Sequence, residues 1–225
     1  MEENNNNNQE LDTGAAEVTV EEDNTDGKKK KSLGRELLEW AEAIVLAVVV
    51  AMLVRGFIFT VVRVDGSSMD STLAHNDRLI VWRLGYAPKQ GDIVIFAPDI
   101  PDNMGKNSFN RIYWVKRVIA TGGQHVDIDY EENAVYVDGV KLEEDYLFAG
   151  EEGETNYDVM RPGSGNYIDS IDVPEGQVFL MGDNRNNSRD SRNIGTVNVN
   201  TIVGKATLRF WPFSSFGTVT HGGQN

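Results

Sequence analysis

Three groups of residues in this 225-residue chain have types suited to bond-breaking chemistry. The first is Ser68, followed by Met69. A serine hydroxyl is a poor nucleophile until a base removes its proton. Histidine is the usual base, but His75, His125 and His221 are scattered, with neither paired nor HExxH spacing. The second group offers a substitute, Lys116 in Trp114-Val115-Lys116-Arg117-Val118-Ile119. An exposed lysine titrates at about 10.4, and burial among apolar groups lowers that by several units. Its apolar neighbours supply such a setting if the side chain points inward; pointing outward, it is a solvated strand lysine with no chemical role. The third group is the polar block Gly182-Asp183-Asn184-Arg185-Asn186-Asn187-Ser188-Arg189-Asp190-Ser191-Arg192. Its Gly, Asp, Asn and Ser residues suit a turn. Its alternating Asp and Arg side chains also suit a buried ion-pair network that fixes a site's geometry.

Other chemistries lack their residues. There is no cysteine, which removes thiol nucleophiles, Cys-ligated zinc, iron–sulfur clusters and disulfides. Gly163-Ser164-Gly165 begins a dinucleotide fingerprint but Ile168 stands where its last glycine belongs. Asp70 occupies the final glycine of a nucleophile elbow around Ser68. Asp127-Ile128-Asp129-Tyr130-Glu131 resembles the start of a calcium loop, but Glu132 takes the glycine position. No SxxK motif is present. We expect no metal and no cofactor. A net charge of −14 argues against nucleic acid as a partner.

These residues need elements to position them. Residues 1–27 carry nine acidic and no basic side chains and few apolar ones, the composition of a disordered tail. Lys28 to Lys31 and Arg35 follow, then an apolar stretch uncharged from Ala43 to Val54. Glu39, Glu42 and Arg55 lie near its ends, within reach of headgroups, with Trp40 and Phe57 at the two interface levels. We read an uncleaved signal-anchor helix rather than a buried helix or a cleaved signal peptide, since no small-x-small pattern follows Val54. The flanking lysines put the N-terminus in the cytoplasm and the rest outside. The boundaries are 1–34 for the tail and basic flank, 35–56 for the transmembrane helix, and 57–225 for an extracytoplasmic β-rich domain.

Beyond Phe57, β-branched and aromatic runs predict strands at 58–64, 79–82, 92–96, 177–181 and 205–211. Asp138-Gly139 between 134–137 and 140–142 predicts a type I′ hairpin. Segments 103–110 and 150–165 read as loops. If Ser67 and Ser68 lay on a strand, they would face opposite ways.

Three boxes and their order carry a resemblance. Val64-Asp65-Gly66-Ser67-Ser68-Met69-Asp70-Ser71-Thr72-Leu73 resembles the serine box of bacterial type I signal peptidases, and the run around Lys116 their lysine box. Gly182 through Arg192 is similar to their third box almost letter for letter, and Arg209-Phe210-Trp211-Pro212 also looks like the family. Two departures stand out: Ser71 replaces a common proline, and Ala120-Thr121-Gly122-Gly123-Gln124 replaces Gly-Leu-Pro-Gly-Asp.

The resemblance implies a mainly antiparallel β-sheet catalytic domain of the signal-peptidase type, preceded by one N-terminal transmembrane helix. It implies a serine endopeptidase with Ser68 as nucleophile and Lys116 as base. Ser188 would hydrogen-bond and orient the lysine, while Asp183, Asp190 and Arg192 brace the loop. Main-chain N–H groups around Ser68 would hold the oxyanion, with Ser67 a weak accessory because Gly66 has no hydroxyl. Partners would be exported preproteins with small residues one and three positions before the cut, bound as an added strand to a monomer at the membrane lipid, near the export machinery. Trp211, Phe213 and Phe216 would be either membrane contacts or core. Two alternatives are a non-catalytic anchored β-domain and a self-cleaving repressor, which would need a DNA-binding region.

Overall fold

The computed structural model describes residues 33–70, 72–103, 111–147, 160 and 167–219. The acidic tail, Lys28 to Lys31, Ser71, His221, the glycines at 163 and 165, and most of the two expected loops lie outside the described residues. The chain divides into two compact units, Met1–Val45 and Leu46–Asn225.

The first helix, α1, runs Leu33–Leu53 and passes into a π-helical turn at Val54–Ile58. Its 21 residues span about 31 Å at 1.5 Å rise each. Gly34–Ile58 is long and apolar enough to cross a membrane. Arg35 and Glu39, one turn apart, form an exposed ion pair at 3.9 Å.

The second unit is mostly antiparallel β. Its strands are β1 (Phe59–Arg63), β2 (Arg78–Trp82), β3 (Ile93–Phe96), β4 (Trp114–Thr121), β5 (His125–Asp129), β6 (Ala134–Val137), β7 (Val140–Lys141), β8 (Ser170–Asp172), β9 (Gln177–Met181), β10 (Val197–Asn198), β11 (Ile202–Trp211) and β12 (Gly217–Thr218). The larger sheet has the order β1-β2-β11-β3-β4-β9-β10, with β12 added to β11. The smaller has the order β7-β6-β5-β8. Asp138 and Gly139 both have positive φ, 53° and 77°, as a type I′ turn between β6 and β7 requires.

Strand β3 explains why the larger sheet is stable around the site. It is buried on both faces, and period-2 alternation splits it between two cores. Ile93 and Ile95 pack with Val64, Met69, Leu73, Leu79 and Val81, while Val94 and Phe96 pack with Val118, Val178 and Leu180. Fully burying each such side chain contributes about 1.5–3 kcal/mol. A third core joins the smaller sheet to the larger, with Val126, Ile128, Val135 and Val137 against Ile119, Phe179 and Met181. Strands β5 and β8 were not among the expected ones, and the stretch compared with a calcium loop is largely β5.

Candidate active site

Ser67 and Ser68 lie in a turn between β1 and β2, not on a strand. The turn is closed by Asp70 N–H donating to the Ser67 carbonyl at 3.1 Å and Leu73 N–H to that of Met69 at 2.8 Å. Met69 and Leu73 anchor it, each 1% exposed within the core. Half-buried Ser68 therefore sits on a loop that is pinned from below.

Lys116 reaches it from the middle of β4. Its Nζ is hydrogen-bonded to Ser68 Oγ at 2.6 Å and donates to the Val115 carbonyl at 3.0 Å. The residue is 3% exposed. Burial lowers its pKa from 10.5 to about 8; the Asp190 and Asp183 carboxylates oppose the shift and the Arg192 cation assists it. Both residues line a cleft of about 280 Å³ with Val62, Val64, Trp114 and Arg189.

The next residue on β4, Arg117, turns to the opposite face. It is fully buried and grips Asp183 through two bonds, Nε to Oδ1 at 2.8 Å and Nη2 to Oδ2 at 2.7 Å. Nη1 donates to the Gly91 carbonyl at 2.9 Å. The Tyr146 ring covers the guanidinium at 3.7 Å. Arg185 pairs with Glu144 and donates to Tyr146 Oη at 3.1 Å. Asp190 and Arg192 pair with each other, with bonds of 2.8 Å to each carboxylate oxygen. Burial alone would raise the pKa of Asp190, but the hydrogen bonds and charge of Arg192 hold it below the usual carboxylate range. Asp190 also caps a one-turn helix, α2 (Ser191–Ile194), and accepts from Gly182 N–H at 3.0 Å.

The expected Asp/Arg network thus exists, but only Asp190–Arg192 is internal to the block. Asp183 and Arg185 find partners outside it. Arg117, Glu144 and Tyr146 were not singled out from the sequence, nor were the two asparagines that tie the block to the serine turn; Arg185 was expected only as one of the block's alternating charges. Asn184 N–H donates to the Ser68 carbonyl at 3.1 Å, and its Nδ2 to the Ser67 carbonyl at 3.0 Å. Asn187 Nδ2 donates to Ser67 Oγ at 3.0 Å. The expected Ser188–Lys116 hydrogen bond is not made; Ser188 Oγ is buried against Gly182, on the side of the Asp190 carboxylate.

His75 Nδ1 accepts from Gly66 N–H at 3.1 Å, and His125 bonds to Asp172 and Asp127. Neither bonds to Ser68 or Lys116. Among the described residues no cluster of three or more His, Asp or Glu is placed to hold a metal ion. Trp211, Phe213 and Phe216 are exposed rather than core, and the Trp211 and Phe213 rings meet edge to face at 5.0 Å.

The model of the family "Signal peptidase, peptidase S26" matches residues 37–211, most of the chain and all three boxes. The chain belongs to this signal peptidase family. A signal peptidase I of Bacillus licheniformis is 37% identical over 191 residues, 83% of this chain and 95% of that protein. Signal peptidase IB of Staphylococcus aureus (strain Mu50) is 35% identical over 199 residues, 81% and 93% of the two chains. A crystal structure of a signal peptidase I from Enterococcus faecalis V583 is 30% identical and aligns with 54% of this chain and 98% of its own, with a TM-score of 0.41. Family membership makes the chain a serine endopeptidase, a hydrolase of the class that cleaves signal peptides.

Proposed function

We propose that this peptidase cleaves signal peptides with a Ser68/Lys116 dyad through an acyl-enzyme. The observation that carries the reading is the 2.6 Å contact between Nζ and Oγ, with the lysine 3% exposed and its pKa brought to about 8. Neutral Nζ takes the Ser68 proton as Oγ attacks the scissile carbonyl. The Ser68 main-chain N–H, which has no acceptor among the described residues, faces the task of holding the oxyanion. The lysine then passes its proton to the leaving amine, leaving an ester on Oγ. Water, deprotonated by the same lysine, cleaves the ester and frees Ser68. Asp183, Asp190 and Arg192 keep the loop in place, and Ser188 packs beside Gly182.

The same reading makes α1 and its π-helical turn a single-pass anchor, with the N-terminus cytoplasmic and the catalytic domain outside. Exported preproteins with small residues one and three positions before the cut, delivered near the export machinery, lie as a strand along the cleft beside β1. Exposed Trp211, Phe213 and Phe216 meet membrane lipid, and the enzyme acts as a monomer.

The test is cleavage of a preprotein ending its signal in Ala-x-Ala by the detergent-solubilised full chain. Wild type cleaves it, and Ser68→Ala and Lys116→Met do not. Equal cleavage by Lys116→Met removes the dyad. A reporter fused after Asn225 that proves cytoplasmic removes the topology.

A further inference from the structure

Charged side chains in the 182–192 block fall into two classes. Asp183, Arg185, Asp190 and Arg192 are buried, and each is locked to a partner. Arg189 is exposed, and among the described residues it makes neither an ion pair nor a hydrogen bond. Its guanidinium lies instead over the Trp114 ring, 5.8 Å from the centroid, on the wall of the cleft that holds Ser68. The same ring lies 5.7 Å from Lys116 Nζ. The Arg189 cation is therefore within about 12 Å of Lys116 Nζ, the reach of three or four residues of extended peptide at about 3.4 Å each.

A second cation lines the same cleft. Arg63 ends β1, is exposed, and has Arg78 directly opposite it on β2, a like charge where a carboxylate would normally be favoured. Among the described residues Arg63 also makes no ion pair. The anionic residue of the wall is Asp65, which turns 79% of its side chain to solvent near His75. In a chain of net charge −14, an arginine on the aromatic wall of the nucleophile's cleft has no carboxylate partner among the described residues.

We propose that Arg189, aided by Arg63, determines specificity by recognising a carboxylate on the peptide segment flanking the scissile bond. This rests on the endopeptidase reading above. A substrate carboxylate pairs with the guanidinium as the strand settles, without disturbing the small residues at the two fixed positions. The stack on Trp114 holds the planar fork in place, so less side-chain freedom is lost on pairing.

The experiment compares peptides bearing Glu, Gln or Lys at the position between the two small residues, or at one of the first three positions beyond the cut. The enzyme is the full chain in detergent, and the readout is the ratio of kcat/KM values at low salt. Wild type is expected to favour Glu over Gln about two- to fivefold at one or more positions, the range of a single surface ion pair. The preference should fall to parity in Arg189→Ala, reverse toward Lys in Arg189→Glu, and weaken at high salt. Equal ratios in wild type, or a Glu preference that survives both substitutions, overturns the proposal. So does loss of binding to anionic vesicles with peptide ratios unchanged, which would assign the arginine to lipid headgroups. Cleavage of no peptide by wild type would overturn the endopeptidase reading itself, and this proposal with it.

Discussion

Gly182 stands so close to Ser68 that one added methyl group would overlap the Ser68 carbonyl oxygen and the Ser188 hydroxyl, with Ser188 Cβ 2.6 Å away. None of these is the far end of a flexible chain, so the serine turn or the block must move. Because the dyad contact is 2.6 Å, a displacement of an ångström breaks it. Gly182→Ala is expected to lower kcat about a hundredfold, with a smaller change in KM. Single-turnover kinetics on a signal-bearing preprotein checks this, with circular dichroism to confirm folding.

Lys116 must be neutral to act as base, and its pKa lies at about 8. The kcat/KM profile should therefore fall about tenfold per unit below pH 8 and level off above it. Stopped assays from pH 5 to 10 measure the midpoint. A midpoint near 6.5 would point to a histidine instead.

The same shift has a stability consequence of definite sign. The folded value, about 8, lies below the ordinary 10.5. Between those values the unfolded chain binds a proton that the folded chain does not, so stability rises with pH. Below pH 8 the full penalty applies, about 3 kcal/mol by the usual conversion of pKa differences. Lys116→Met should thus be more stable than wild type at pH 7 while inactive, and the gain should vanish near pH 10.5. Urea denaturation of both proteins at the two pH values provides the comparison.

Tyr146 touches both arginine clusters, its ring over Arg117 and its hydroxyl accepting from Arg185. The hydroxyl also donates to Glu144 at 2.6 Å. Tyr146→Phe retains the stack and is expected to lose about 1–2 kcal/mol of stability, the usual cost of leaving buried polar partners unpaired. Tyr146→Leu loses the stack as well and should cost more in both stability and kcat. Thermal unfolding together with kcat per titrated active site separates the two effects.

Much of the β architecture is legible locally, because β-branched runs such as Phe59–Arg63 and Gln177–Met181 leave few alternatives, and Asp138-Gly139 suits one hairpin turn. Strand β8 has only three residues, Ser170–Asp172, too few for their alternation to mark a strand. Ser68 and Lys116 carry motif signals strong enough to single out from sequence. The partners of the third box do not. Arg117 and Asp183 are 66 positions apart, and Arg185 and Glu144 41, so no local pattern links them. Helix α2 did have a signal: Asp190 followed three residues later by Asn193, whose side chains form a capping box. The short turn hid it within residues that also favour irregular structure.

Lys116 and Arg117, adjacent on β4, face opposite ways, and the strand is held in register by Val94 and Ile93 of β3. A slip of a single residue would turn each to the other face. In the direction that puts Arg117 opposite Val94, the group brought to Ser68 would be a guanidinium that stays protonated throughout the physiological pH range, and Val118 would stand where Arg117 meets the Asp183 carboxylate. The strand pairing therefore acts as a chemical selector: it decides which of two neighbouring cations has a proton to lose. Insertions or deletions within β4 should be far more damaging to activity than those in the turns at its ends.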